Sequence, residues 1–271
     1  MPELPEVEIV VRGLRPDLTG RRVVSVDNTW PRTIVDWPLE AFAARLIGQQ
    51  IAGLRRRGKY IICDLSDDTL LIHLKMTGRL YVVAPEESNE ADRWLRVTFG
   101  LDDGRELRFS DLRKFGRVYL VPDAGQVVGK LGPEPLSDEF DLEVFCNLLK
   151  GRQGTIKPLL MNQGFVAGIG NIYADEALWQ AQIDPHRKAD TLKEDEIARL
   201  YHAIRSVLQA GIYHEGASIN WYRKADGSTG EYQEHFNVYD RQHEPCPRCG
   251  TPIRKVKLGQ RGTHYCPICQ V

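Results

Sequence analysis

The residues best suited to chemistry lie at the two ends of the chain. The sequence opens MPELPEVEIV, with Pro2 and Pro5 set among Glu3, Glu6 and Glu8. Proline lacks a backbone N–H and has a fixed φ, so this start is poor material for an ordinary ordered segment. It becomes sensible if the chain end is itself a reagent. At the other end, CPRCGTPIRKVKLGQRGTHYCPIC follows the pattern C-x2-C-x16-C-x2-C through Cys246, Cys249, Cys266 and Cys269. Four thiolates at that spacing suit one structural zinc ion, held in closed tetrahedral coordination with no position open for catalysis. Disulfides are disfavoured in a reducing compartment. An iron–sulfur site also accepts four cysteines, but two knuckles joined by a hairpin favour zinc. His264 is not needed as a ligand and reads as a packing residue. Cys63, in YIICDL, and Cys146, in an apolar helical stripe, read as inert core thiols.

Composition bounds what surrounds these ends. The chain has 271 residues, 42% hydrophobic and 27% charged, a globular balance that allows one large domain or two to three smaller ones. Its formal net charge of −1 says nothing about a partner, but local charge does. Residues 239–271 carry Arg241, Arg248, Arg254, Lys255, Lys257 and Arg261 against only Asp240 and Glu244, and a second basic run spans Arg55, Arg56, Arg57 and Lys59. Basic patches on a neutral chain suit a polyanion bound on one face; the plainer reading is a solvated surface. The first twenty residues have no apolar core, and no apolar run approaches the ~20 residues that span a bilayer. The expected location is the cytoplasm, with no membrane partner.

The elements that must position these residues follow one another along the chain. Residues 3–14 read as a short helix with prolines confined to its first turn, acidic residues at its N-terminal dipole end, and Pro16 as its stop. From about 20 to 122, RRVVSV, KYIICDL, TLLIHLKM, LRVTFGL, ELRFS and RVYLV are strand-like, with Asp103 and Gly104 marking a hairpin turn. Many short strands in that length imply a sandwich or barrel. VPDAGQVVGKLGPEPL (121–136) reads as a linker. Beyond it Leu142, Phe145, Cys146 and Leu149, then Ala174, Ala177, Leu178 and Ala181, repeat at helical spacing. Thr191 and Glu194 form a capping-box pattern ahead of a stripe of Ile197, Leu200, Tyr201, Ile204 and Leu208, so residues 137–215 read as all-helical. The Cys-rich tail reads as a hairpin turning at Gly259 and Gly262.

PELPEVE at 2–8, LGPEPLSDEF at 131–140, IKPLLMNQGFVAGIGNIYADEALW at 156–179 and the terminal zinc ribbon together resemble the bacterial formamidopyrimidine-DNA glycosylases, in order and over the whole chain. The resemblance implies an α+β multi-domain protein: a catalytic β-sandwich with an N-terminal helix over 1–130, a helix–two-turn–helix DNA-binding domain over 131–220, and a lesion loop with a four-cysteine zinc finger over 221–271. It implies a bifunctional DNA glycosylase/AP lyase of base excision repair. Such an enzyme binds duplex DNA as a monomer, excises oxidised purines such as 8-oxoguanine and formamidopyrimidines, and also acts at abasic sites.

Pro2 then has a chemical reason to stand second. Removal of Met1 leaves it as a free secondary amine, whose pKa near ~8 keeps a useful fraction unprotonated. Attack on a sugar carbon gives an iminium that is already cationic, a good electron sink for elimination. The ring also holds the amine rigid, which limits the orientation entropy lost. The resemblance makes Glu3 the general acid, Lys59 a lysine that contacts phosphate and assists proton transfer, and Arg261 the arginine on the phosphates flanking the lesion. Gly168 and Gly170 open a helix N-terminus suited to an anion, with Asn171 as a phosphate contact, Lys157 directed to the damaged nucleotide and Tyr239 as a further DNA contact. Met76, Arg113 and Phe115 match the set that fills the void left by a flipped base; on pattern alone Met76 and Phe115 would be core. Glu6 and Ser218 are expected to face the lesion, with a helix-dipole role the alternative for Glu6.

The chain departs from the family's pattern in two places. A His-rich stretch is replaced by NEADRWLRV (89–97), and the lesion loop reads EGASINWYRKADGSTGEYQ (215–233), with Trp221 and Glu231 at unusual positions. Two other functions fit parts of the pattern. An endonuclease VIII-like glycosylase for oxidised pyrimidines usually begins Pro-Glu-Gly-Pro-Glu and lacks the Met/Arg/Phe set. A non-catalytic zinc-ribbon DNA-binding paralogue could lose Pro2, Glu3 or Lys59, and all three are present.

Overall fold

The computed structural model describes every residue except Asn220. The chain divides into two compact units, residues 1–130 with 214–231, and residues 131–213 with 232–271.

In the first unit, helix α1 (Leu4–Leu18) begins immediately after Glu3. Its Val7, Val10, Val11, Leu14 and Leu18 form one fully buried stripe. The helix runs past Pro16, where the sequence led us to expect its end. Proline fits helical φ and here falls in the last turn, where the lost hydrogen bond is offset by burying Leu18, worth about 1.5–3 kcal/mol. After β1 (Val23–Asn28) and α2 (Leu39–Leu46) come β2 (Ile51–Arg57), β3 (Tyr60–Leu65), β4 (Thr69–His73), β5 (Gly78–Val83), β6 (Leu95–Leu101), β7 (Glu106–Asp111), β8 (Arg117–Val121) and a single turn, α3 (Gly125–Val128). The strands form two four-stranded antiparallel sheets, ordered β1-β6-β7-β5 and β2-β3-β4-β8. Their inner faces share one apolar cluster. Ile61, Leu70, Ile72 and Val118 come from one sheet, Val97, Phe99, Leu107 and Phe109 from the other, and the α1 stripe joins them. The β2–β3 pairing closes with Arg57 opposite Tyr60, leaving Gly58 and Lys59 as the two turn residues.

In the second unit α4 (Leu142–Leu149) is capped by Asp141, whose Oδ1 accepts the Val144 N–H at 2.8 Å. There follow α5 (Ile156–Leu160), α6 (Asn171–Ala181) and the long α7 (Glu194–Tyr213). The capping pair expected of Thr191 and Glu194 does not form. Glu196 instead accepts the Lys193 N–H at 2.8 Å and pairs with Arg187 at 2.5 Å, while the Thr191 hydroxyl turns back to the Lys188 carbonyl. The unit ends in the hairpin of β9 (Arg254–Leu258) and β10 (Arg261–Tyr265), in register from Arg261 opposite Leu258 to Tyr265 opposite Arg254. Its apolar cluster holds four buried residues, Val238, Cys246, Ile253 and Cys266. So small a core does not sustain a hairpin by itself.

Candidate active site

Met1 is exposed, but burial begins immediately after it. Pro2, Glu3 and Glu6 all lie inside the first unit, with Glu3 3% and Glu6 1% exposed. The α1 stripe anchors the helix and so delivers Glu3 and Glu6 to one place. The Glu6 carboxylate forks. One oxygen accepts the Glu3 N–H at 2.7 Å, and the other accepts the Ala217 N–H at 2.9 Å. A carboxylate that receives two backbone N–H groups is held in one orientation, and here one of those groups belongs to the peptide that joins Pro2 to Glu3. Glu6 therefore does more than serve the helix dipole. Nothing in the sequence ties position 6 to position 217, because the partner is a backbone amide.

Lys59 is 5% exposed in the β2–β3 turn, and His73 lies at the end of the adjoining strand β4. Burial, with Lys75 and Lys59 nearby, depresses the imidazole pKa to about 3. Its Nδ1 accepts the Lys75 N–H at 2.9 Å, and its ring stands edge-on to Tyr60. His73 is thus a neutral acceptor next to the lysine turn, a role hidden in TLLIHLKM, where it reads only as strand.

Met76, Arg113 and Phe115 come together on the surface of this unit. Met76 is 43% and Phe115 46% exposed, so neither is core. The Arg113 guanidinium reaches Met76 Sδ at 3.0 Å and lies 4.8 Å from the Phe115 ring centre. Buried Asp111 fixes the loop: it bonds to the Thr77 hydroxyl and accepts N–H groups from Arg113 at 3.2 Å and Gly116 at 2.7 Å. Position 116 has to be glycine, since a Cβ there would lie 2.3 Å from the Phe109 ring. Ser218 Oγ, in the 214–231 segment, accepts the Gly230 N–H at 2.9 Å and lies 3.2 Å from the Tyr222 carbonyl.

In the second unit the sequence motif folds around the zinc hairpin. Gly170 precedes Asn171 at the N-terminus of α6. Asn171 Nδ2 donates to the Gly262 carbonyl at 2.9 Å. Lys157, on α5, is 1% exposed; its ammonium donates to the same carbonyl at 3.0 Å and to Thr263 Oγ1 at 2.8 Å, and pairs with Asp175 at 2.7 Å. Asp175 also accepts the His264 N–H at 2.9 Å, with the imidazole Nδ1 3.2 Å away. Three side chains from α5 and α6 thus grip β10 one to three residues beyond exposed Arg261. Glu176, fully buried, accepts the N–H groups of Asn237, Val238 and Tyr239 at 2.9–3.0 Å. Burial raises its pKa, and those same hydrogen bonds oppose the rise. Tyr239 in turn stands edge-on to His264. Asp175, Glu176 and His264 carry no catalytic signature in the sequence, and only their burial reveals them.

The Sγ atoms of Cys246, Cys249, Cys266 and Cys269 all lie within 4.8 Å of one another, with Cys249 and Cys266 3.5 Å apart and Cys246 and Cys269 4.0 Å apart. A tetrahedron with Zn–S arms of about 2.3 Å has edges of about 3.8 Å, so the donor set fits one zinc ion and has the right chemistry for it. The protein carries one structural zinc.

Comparison with known proteins agrees along the chain. Residues 1–118 match the model of the formamidopyrimidine-DNA glycosylase N-terminal domain, 131–223 that of its H2TH domain, and 244–271 that of the zinc finger found in FPG and IleRS. The formamidopyrimidine-DNA glycosylase of Herpetosiphon aurantiacus is 48% identical over 100% of both chains. Lactococcus lactis Fpg in complex with abasic-site DNA superposes with a TM-score of 0.90 at 38% identity over 99% of each chain. MutM bound to carbocyclic 8-oxo-G DNA does so with the same score, identity and coverage. A buried Pro2–Glu3 pair beside the first residue, an H2TH unit gripping a zinc hairpin, and full-length identity near one half place this chain in the formamidopyrimidine-DNA glycosylase family.

Proposed function

We infer that the chain is a bifunctional DNA glycosylase/AP lyase that excises oxidised purines, 8-oxoguanine and formamidopyrimidines among them, from duplex DNA in base excision repair. In this reading the Pro2 nitrogen, freed by removal of Met1, attacks C1′ of the lesion nucleotide. The C1′–N9 bond breaks and the base leaves with a proton. Glu3 protonates the sugar ring oxygen as the ring opens, which gives a cationic iminium between Pro2 and C1′. Loss of the C2′ proton then expels the 3′ phosphate, and a second elimination expels the 5′ phosphate. Lys59 and Arg261 bind those phosphates, and Asn171 and Tyr239 hold neighbouring ones. Met76, Arg113 and Phe115 fill the vacated stack. Lys157 acts on the nucleotide through β10, which it grips. The zinc ion holds the hairpin and takes no part in bond making.

The single observation that carries the reading is the pairing of Pro2 with a buried Glu3 whose own N–H is fixed by Glu6. No helix among the described residues is long and apolar enough to cross a membrane. The enzyme works as a monomer on DNA in the cytoplasm.

Borohydride trapping tests the reading. Protein shown by intact mass to lack Met1 is mixed with a duplex carrying 8-oxoguanine opposite cytosine, and the iminium is reduced in place. The expected result is a covalent complex whose cross-linked peptide begins at Pro2. Tight binding to the same duplex without any cross-link would overturn the lyase assignment.

A further inference from the structure

The two places where the sequence departs from its family's pattern meet in space. Trp94 belongs to the 89–97 stretch and Trp221 to the 215–233 loop, and their rings stand edge to face with centroids 4.9 Å apart and planes at 89°. We propose that Trp94 is a positioning residue that acts through Trp221, and that this pair sets how well the enzyme processes a nucleotide that still carries its base. The proposal rests on the function inferred above.

Trp94 sits on a rigid platform. It ends a 3₁₀ turn (Glu90–Trp94) whose entrance is capped from both sides: Asn89 Oδ1 accepts the Ala91 N–H at 3.0 Å, and Asp92 Oδ2 accepts the Asn89 N–H at 2.7 Å. The other Asp92 oxygen accepts the Tyr81 hydroxyl at 2.6 Å, and Arg108 pairs with the same carboxylate at 2.7 Å. Arg93 stacks its guanidinium 3.8 Å from the Trp94 ring centre. Turn, strand β5 and strand β7 therefore converge on one aspartate, and the indole they present has little freedom.

Trp221 belongs to a loop that also touches the carboxylate beside the reagent. The N–H of Ala217 lies on Glu6, the carboxylate that also holds the Glu3 N–H. Gly216 has φ +84°, and a Cβ there would stand 3.0 Å from Glu6 Cγ, so the loop backbone has to approach Glu6 this closely. Tyr222, next to Trp221, is buried in the apolar core of the unit, whereas Trp221 itself is 37% exposed. The Trp221 ring is thus not needed to fill the core. Its partner is Trp94, and the contact braces the loop four residues beyond its attachment to Glu6.

A loop that abuts the carboxylates beside the nucleophile meets whatever is attached at C1′ of the sugar being attacked. A damaged base offers it a surface, and an abasic sugar offers none. Loosening the brace should therefore slow base excision and leave cleavage of a preformed abasic site unaffected.

The experiment uses the full-length zinc-loaded enzyme with Trp94→Ala, Trp221→Ala and the double variant. Each is measured in single-turnover excision of 8-oxoguanine and in cleavage of an abasic duplex. Each single variant is expected to slow excision about 2- to 12-fold, the worth of one edge-to-face aromatic pair expressed as a rate ratio. The double variant should be no slower than the slower single, abasic cleavage should stay within about 2-fold of wild type, and Trp94→Phe should recover most of the loss. If Trp94→Ala does not fold, Trp94→Leu and Trp221→Leu, which remove the aromatic contact but keep apolar bulk, carry the same cycle. Unchanged excision, effects that multiply in the double variant, or equal losses on both substrates would overturn the proposal while wild-type abasic cleavage stands. A wild-type enzyme that cannot cleave the abasic duplex would overturn the lyase reading itself, and this inference with it.

Discussion

In the first unit the buried carboxylates Glu3 and Glu6 ride on a helix whose apolar stripe is packed into a large two-sheet core. In the second unit buried Lys157 and Asp175 hold β10, and buried Glu176 holds the 237–239 segment, around a small cluster of four buried residues, Val238, Cys246, Ile253 and Cys266. Hydrophobic burial stabilises the first arrangement, so its charged groups are available for chemistry. In the second arrangement ions and thiolates must supply what a small core cannot. The proposed reaction would use this division: a Pro2 nucleophile needs a rigid seat, and an Arg261 that binds phosphate needs a short, exposed hairpin that something else keeps folded.

Zinc removal tests this contrast most severely. Structural zinc contributes on the order of 10–16 kcal/mol of apparent binding free energy in zinc-finger peptides, more than the about 3–5 kcal/mol lost on breaking a buried ion pair. Chelation, or Cys249→Ser, should abolish amide-exchange protection at Val256 and Thr263, which face each other across the hairpin. Protection at Ile62 and Leu71, paired in the β3–β4 ladder, should persist. Persisting protection in β9 and β10 would mean that the ions of α5 and α6 hold the hairpin without metal, and the contrast between the units would lose its main term.

Next in size is Lys157→Met. The lysine is 1% exposed, and its removal leaves Asp175 buried beside a neutral group, a change that costs about 3–5 kcal/mol. Thermal unfolding of the second unit should move down by several degrees, and Lys157→Met with Asp175→Asn should recover part of the loss because no bare charge then remains. A cost below about 1 kcal/mol would show that the ion pair is not what positions β10.

These buried ions also mark where the sequence stops being legible. Short β-branched runs gave away most strands of the sandwich, and the four-cysteine spacing gave away the zinc site, because both signals are local. Strand β2 was hidden. Its Arg55, Arg56 and Arg57 read as a basic surface patch, whereas Arg55 pairs with Asp64 at 2.8 Å and Arg56 with Glu8 at 3.0 Å. Lys157 and Asn171 were recognisable as motif residues, but their shared acceptor, the Gly262 carbonyl, was not, since a backbone oxygen has no residue type to read. The 89–97 stretch stood out for its missing histidines and Trp221 for its unusual place in the loop, and only the fold shows Trp94 and Trp221 in contact. Local periodicity and motif spacing are written in the chain; a partner far along it is not.

The smallest expected effect concerns the first unit alone. His73 is buried without a counter-charge and its pKa is depressed to about 3, so the folded state holds the imidazole neutral while the unfolded chain protonates it near its ordinary value of about 6.5. Between those two values the unfolded state binds the additional proton. The stabilisation is complete above about pH 6.5 and drains away as pH falls towards 3, amounting to a loss of about 2 kcal/mol at pH 5. His73→Gln keeps an acceptor for the Lys75 N–H but cannot titrate. The difference in unfolding free energy between wild type and this variant should therefore be flat above pH 7 and turn against the wild type below pH 6.5. Acid also protonates the zinc thiolates, but both proteins carry the same hairpin, so that contribution cancels in the difference. A difference that stays flat down to pH 4 would mean that His73 is already protonated in the fold. The Lys59 turn would then have a cation, not a neutral acceptor, at its side.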